Sequence, residues 1–342
     1  MPLSVNASPG SSGDAGPATD GSGGLFTPIV QDLNEVSARL MAMAEVSGGP
    51  LQLLLRRVLG TRGKLLRPAL TIASGRLFRG PSAGLHAMAA AVECLHTASL
   101  IHDDIIDETL ERRGAPALHA AAGGGPAILA GDYLFAQAAA TASETNNLRI
   151  MRLFADCVMT VCTGQINEHS QDKSARAHLT RDGYFETIAA KTAALFVLAC
   201  EAGAVLGEAP MAAAAVLRQY GCDLGLAFQI VDDILDLTGD EAMMGKPAGS
   251  DLRQGVMTLP MIYLREEIPE GTLMAAFQGG DGRDQAIREI TKRARQSDAI
   301  RRAHEEARGL ASGAVDLLCQ LPANSYRDVL EALATTVVDR EL

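Results

Sequence analysis

Two short segments of this chain follow one pattern: Ile101-His102-Asp103-Asp104-Ile105-Ile106-Asp107 and Ile230-Val231-Asp232-Asp233-Ile234-Leu235-Asp236. Each places three carboxylates within about one helical turn, the first and last four residues apart and so on one face. Like charges at that spacing repel and weaken a helix. The flanks are apolar, where an unpaired charge is expensive. A fold that accepts both segments has to bring something cationic among them. Mg²⁺ has the right chemistry: it takes oxygen ligands, keeps several waters and bridges one or two carboxylates to phosphates. One such cluster could be a solvated acidic helix end, but two with matching flanks read as similar elements facing a shared site.

Between the clusters the chain is patterned for helices. Apolar residues make up 47% of the sequence, much of it alanine, aromatics are 4% and Trp is absent. That mix suits close-packed helices better than sheets. Gly/Pro punctuation falls near Gly48–Pro50, Gly60–Gly63, Gly80–Pro81, Gly123–Pro126, Gly207–Pro210, Gly245–Gly249, Pro269–Gly271 and Gly279–Gly282. No segment sustains period-2 alternation between hairpin signals. The expectation is an all-α, single-domain bundle of ten or more helices over residues 25–342. Residues 1–24, rich in Gly, Ser, Pro and Ala, read as a disordered tail.

The formal net charge of −11, without a Lys/Arg block, argues against a nucleic-acid partner. An acidic protein still binds an anionic substrate where metal ions supply the positive charge. The most apolar stretch, Ala189 to Gly207, contains Lys191 and Glu201 and reads as a buried helix, so an integral membrane protein is not expected. No basic n-region precedes an apolar stretch at the N-terminus. The six cysteines form no CxxC pair, which suits a reducing compartment. Together these point to the cytoplasm.

Basic residues come in compact groups: Lys64 and Arg67 in Gly63–Pro68, the Arg112-Arg113 pair after the first cluster, Lys191-Thr192, and Gly245-Lys246. Each alone reads as a surface charge, but around a metal–carboxylate site they would hold phosphate oxygens. His96 lies seven residues before Asp103, on the stripe that continues to Asp107, which favours a site-facing role over a core one.

In this order, Gly63–Pro68, His96–Gly114, Gly131–Ala136, Lys191-Thr192, Phe228–Asp240 and Gly245–Pro260 resemble the motifs of the trans-isoprenyl diphosphate synthases, or polyprenyl synthetases. The resemblance runs from about Gly60 to the C-terminus. It implies a helical bundle around a central cavity, Mg²⁺ as cofactor, and condensation of isopentenyl diphosphate with an allylic prenyl diphosphate. By resemblance, Asp103 and Asp107 with Asp104, and Asp232 with Asp233 and Asp236, are the metal ligands. Lys64, Arg67, His96 and Arg113 match the isopentenyl diphosphate site, and Arg112, Lys191, Thr192, Gln229 and Lys246 the allylic site. Asp103, Asp107, Asp232, Arg112 and Lys191 would then carry most of the catalysis. The family's habit is a homodimer, and its long-chain products are membrane-seeking. One departure stands out: Arg62 and Leu65 stand where the common first basic motif has Gly and Arg.

A class I terpene cyclase shares the fold and one such motif, but usually pairs it with an Asn/Ser/Glu triad, not a second complete cluster. A non-catalytic subunit of a heteromeric synthase usually loses an aspartate motif. Product length is expected to depend on Ala98 and Ser99, just behind Asp103, where short-chain members carry bulky residues. Both are small here, and Cys94, Leu95, Ala90 and Ala91 follow, which favours a product beyond C20. Phe135 or Phe154 could instead form a deeper floor.

Overall fold

The computed structural model describes residues 24–339, apart from 25, 46–47, 61–62, 113, 171–172, 240–247, 279 and 281. The tail expected over residues 1–24 lies outside this set except for Gly24. Seventeen α-helices are present among the described residues, so the helical reading holds. The helix boundaries fall close to the Gly/Pro breaks of the sequence: one helix ends at Leu59 before Gly60, another starts at Met211 after Pro210.

Two long helices carry the aspartate clusters. The first, Ala83–Ile106, opens on Ser82, whose hydroxyl accepts the Leu85 N–H at 3.2 Å and so satisfies one orphan donor of the first turn. Its Ala87–Leu95 segment is buried on every side. A helix segment buried all round, with Glu93 its single charged residue, has to lie inside the fold. Here Val30–Met43, Leu66–Arg76, Gly124–Ser143 and Ala194–Leu206 surround it. The second aspartate helix, Met211–Thr238, packs against Ala194–Leu206 and Ala299–Leu318. Ala194–Leu206 therefore touches both aspartate helices and lies at the centre of the bundle.

Close approach at that centre needs residues without side chains. A Cβ on Gly203 would lie 2.3 Å from the Thr71 carbonyl oxygen, and one on Gly221 would lie 2.7 Å from that of Phe196. Ala83–Ile106 and the continuous helical run Arg181–Leu206 are both long and apolar enough to cross a membrane. About two thirds of each is already covered by neighbouring helices (67% and 61% of the most apolar windows). Their apolar surface is spent on the core of the bundle.

Beyond the second aspartate helix a smaller core forms. Leu237 packs there with Leu252, Met257, Leu264, Phe277 and Ile290, which fold the C-terminal short helices over the end of Met211–Thr238. One element departs from the expected all-helical path. Glu111–Arg112 pairs antiparallel with Ala115–Pro116, closed by a turn through Gly114 at φ +72°. Two residues a side are too few to show as alternation in a sequence.

Gly203→Ala should lower stability by about 1–3 kcal/mol, the usual cost of overpacking a filled core. The reason is that a backbone oxygen, not a flexible side chain, stands in the way. Thermal or urea unfolding measures it, and a neutral result would mean the two helices separate at no cost.

Candidate active site

Both aspartate helices deliver their C-terminal ends to one cavity of about 460 Å³. Asp103 and Asp107 line it from the first helix, and Asp232, Asp233 and Asp236 from the second. A helix C-terminus carries partial negative charge, so carboxylates there add to an already unfavourable field. Glu111, Glu168 and Asp251 raise the carboxylates lining the cavity to eight, against Arg112, Arg176 and Lys191 among the described residues. Burial pushes the Asp103 carboxyl up to about 6, with Lys191 pulling it down and Asp107 pushing it up. Asp107 is raised as well, again chiefly by burial.

Among the described residues, no three His, Cys, Asp or Glu side chains converge into a group that could hold a metal ion. The donor set nevertheless fits a divalent cation of the kind that fills its shell with water and phosphate oxygens. It is all oxygen, strongly negative, partly desolvated and set at two helix C-termini. Asp103 and Asp107 on one side and Asp232 and Asp236 on the other are the residues that would hold it.

The middle aspartates do different work. Asp104 is 4% exposed, and Arg112 Nε donates to its two oxygens at 2.7 and 2.9 Å. Asp233 is also 4% exposed; it accepts from Tyr184 Oη and from Gln229 Nε2, both at 2.7 Å. Burial drives Asp233 up to about 7 against the pull of those two hydrogen bonds. Gln229 Oε1 in turn accepts from Thr192 Oγ1 at 2.6 Å. The sequence reading made all six aspartates metal ligands; in this structure Asp104 also holds Arg112, and Asp233, at the cavity wall, also holds the Tyr184–Gln229–Thr192 chain. Asp236 Oδ2 accepts the backbone N–H of Asp251 at 3.1 Å, which ties the Ser250–Gln254 helix to the second cluster.

Lys191 and Thr192 sit where the helix changes pitch. Arg181–Ile188 is α-helical, Ala189–Ala193 is a π turn, and Ala194–Leu206 resumes the α-helix. Such wide turns recur at functional sites because they re-aim side chains. A Cβ on Gly164 would lie 2.7 Å from that of Ala190, so the Leu148–Ser170 helix passes close to this turn. One turn further on, Glu168 accepts from Lys191 Nζ at 2.8 Å. Burial works against the Lys191 charge, but Glu168, Asp107 and Asp103 outweigh it and hold its pKa above the usual value.

Lys64, Arg67 and His96 do not line this cavity. Arg67 is buried in the first turn of Leu66–Arg76, its guanidinium 4.8 Å from the Phe196 ring centre and 5.9 Å from that of Phe228. Lys64 is exposed just before that helix, and Leu65 takes a left-handed φ of +48°. Arg113 and Lys246 lie outside the described residues. Ala98 is fully buried, whereas Ser99 is partly exposed one turn behind Asp103. The sequence reading missed Glu168, Tyr184, Arg176 and Asp251. Tyr184 had a signal, since it stands seven residues before Lys191 and so on a shared helical stripe.

Two aspartate-bearing helix ends, with Lys and Arg held by carboxylates between them, define a diphosphate-handling helical transferase. Residues 50–294 match the family model described as polyprenyl synthetase, and the chain belongs to that family. It is 34% identical over 318 residues to heptaprenyl diphosphate synthase component 2 of Geobacillus stearothermophilus, covering 93% of this chain and 98% of that one. It is 35% identical over 286 residues to a short chain isoprenyl diphosphate synthase of Methanothermobacter thermautotrophicus, covering 82% and 87%. A polyprenyl synthase from Caulobacter crescentus, solved with calcium and isoprenyl diphosphate, superposes with a TM-score of 0.87 at 33% identity over 92% of this chain and 97% of that one. The chain is an enzyme, a prenyltransferase that condenses isopentenyl diphosphate with an allylic diphosphate.

Asp103→Asn should abolish most turnover while stabilising the metal-free fold. A carboxyl raised from 3.8 to about 6 holds its proton more tightly folded than unfolded. Its stabilising contribution is therefore full below pH 3.8 and lost as pH rises through about 6. In EDTA, the melting temperature of the unmodified protein should rise as pH falls from about 7.5 to about 5.5, and the variant should show a shallower slope. At neutral pH the gain is at most about 3 kcal/mol. A variant that melts lower at neutral pH, or that keeps near-normal turnover, would remove Asp103 from this role.

Proposed function

We propose that this enzyme is a Mg²⁺-dependent elongating synthase whose products exceed C20. The observation that carries the reading is the convergence of both aspartate helix ends on one cavity walled by Lys191 and Arg112. Bound Mg²⁺ would neutralise the allylic diphosphate and the carboxylates around it, which eases departure of that leaving group. Arg112, fixed by Asp104 on its two-residue ribbon, and Lys191, fixed by Glu168, present preset donors to the phosphate oxygens. Leu179, Ile188, Val256 and Met257 give the cavity an apolar wall that limits water around the carbocation formed as the allylic C–O bond breaks. The isopentenyl double bond supplies the electron pair of the new C–C bond, and the departing diphosphate is the base for the proton then lost. Lys64, Arg67, His96 and Arg113 remain our candidates for the isopentenyl side, with Lys246 on the allylic side.

Product length rests on the first aspartate helix. Ser99 shares the Asp103 stripe, and its hydroxyl donates to the His96 carbonyl at 2.8 Å, so it presents little bulk. Ala90, Ala91, Cys94 and Ala98 make the neighbouring core positions small and fully buried. Phe135 stacks on His102 with ring centres 5.4 Å apart, at the mouth end of the helix and not beneath it. A tail running back along this helix meets no aromatic plug at these positions. Incubating the enzyme with Mg²⁺, isopentenyl diphosphate and each candidate primer, followed by product chromatography, tests the reading. Ser99→Phe should shift products toward C15 or C20 with activity retained, and Ala98→Phe should do so at a cost in stability, because that site is filled. An unchanged spectrum in both variants would send the tail along another route.

A second copy of this chain is the partner we assign to one surface. Ile128 and Leu129 on Gly124–Ser143 and Met159 and Ile166 on Leu148–Ser170 are 45%, 69%, 55% and 66% exposed on two helices that pack together. Exposed apolar side chains on neighbouring helices suit a self-complementary two-fold contact. Sedimentation should give a dimer that Leu129→Asp combined with Met159→Asp converts to a folded monomer; a monomeric unmodified protein would exclude it. We place the enzyme in the cytoplasm, outside the bilayer, with its cysteines reduced; the six are unpaired in the structure.

A further inference from the structure

A second cavity, of about 520 Å³, shares no lining residue with the catalytic one. Its wall is built from Arg253, Arg288, Thr291, Lys292, Arg295 and Gln296, with Ala248 and Ile287 as its apolar members. No carboxylate lines it among the described residues. Arg288, Lys292 and Arg295 lie on one stripe of the Arg283–Gln296 helix at four- and three-residue spacing, where like charges destabilise. Arg253 is paired with Asp284, and Arg295 Nε donates to the Leu237 carbonyl at 2.7 Å. Among the described residues neither Arg288 nor Lys292 has a carboxylate partner.

The buried group beside this stripe points the same way. Thr291 is only 7% exposed, and its Oγ1 has no hydrogen-bond partner. Leaving a buried hydroxyl unsatisfied costs about 1–3 kcal/mol. Gly249, at φ +76°, packs close beside that oxygen: a Cβ there would fall 2.9 Å from it. The missing partner is a group with acceptor oxygens and negative charge. From Arg288 to Arg295 the helix rises roughly 10 Å, which suits two linked phosphates better than one. Little apolar wall is available for a hydrocarbon chain.

We propose that this cavity is a second anion site that takes a diphosphate group, either free or as the head of an isoprenoid. It stands two links from the catalytic metal ligands. Arg295 holds the carbonyl next to Asp236, and Arg253 belongs to the short helix whose Asp251 N–H is bonded to Asp236. None of its lining residues belongs to the first aspartate helix, on which product length depends.

The test is calorimetric titration of the full chain in EDTA, where the aspartate cavity repels anions. Inorganic pyrophosphate is used in one arm and isopentenyl diphosphate in the other. The expected result is saturable binding in at least one arm that weakens at least about tenfold in Arg288→Ala/Lys292→Ala, whose exposed positions leave the fold intact by circular dichroism. Thr291→Val, which keeps the shape and removes the hydroxyl, should weaken it several-fold. In the component lost in the double variant, which excludes binding at the isopentenyl side of the catalytic site, tighter pyrophosphate would make the released coproduct the source, and tighter isopentenyl diphosphate a substrate head. No saturable binding in either arm, or binding that the double variant retains in full, overturns the proposal.

Discussion

The structure is organised around an electrostatic debt: six aspartates brought to the negative ends of two buried helices. Neither helix could end there in isolation at neutral pH without repulsion within each cluster and against its own backbone dipole. The fold meets part of this with Arg112 and Lys191, and leaves the rest as a negative field over the cavity. The small residues of the core follow from the same demand. Gly203 against Thr71 and Gly221 against Phe196 let Ala194–Leu206 pack closely on its neighbours, the second aspartate helix among them.

A division of labour within each cluster follows. Asp103, Asp107, Asp232 and Asp236 line the cavity, and so does Asp233, which with Asp104 also holds basic or polar groups in place. Arg112 and Thr192 thereby have fixed positions before any substrate arrives, so less side-chain freedom is lost on binding. Lys191 is treated the same way by Glu168, a carboxylate from a third helix. The basic side of the site therefore depends on carboxylates held in place by the fold.

Much of this was legible in the chain. Carboxylates in apolar flanks, repeated with the same spacing, announce a cationic site, and glycine and proline mark most helix ends because their backbone preferences act locally. What escaped was set by tertiary contact. The ribbon at Glu111–Pro116 is two residues a side and is tied down by Arg112 reaching Asp104. Glu168 sits on a partly exposed helix, where a glutamate reads as surface until the Gly164–Ala190 approach brings it to Lys191. The separate roles of the middle aspartates were invisible for the same reason, since a side chain's partner on another helix leaves no mark on its own periodicity. Lys64, Arg67 and His96 were singled out by motif, and the structure sets them apart from the aspartate cavity.

The π turn at Ala189–Ala193 has a consequence for how this site tolerates change in length. A π turn is an α-helix holding one residue more than its pitch requires. Each residue turns an α-helix by about 100°. Losing a single residue from this segment would let the helix relax to regular pitch and swing everything on one side of it around the axis. Tyr184 and Ile188 would then leave the wall they share with Lys191, and the Asp233 anchor would lose its phenol. Substitutions here alter one contact at a time, whereas a one-residue deletion rotates a whole wall, so this short segment sets the phase between the core and the cavity.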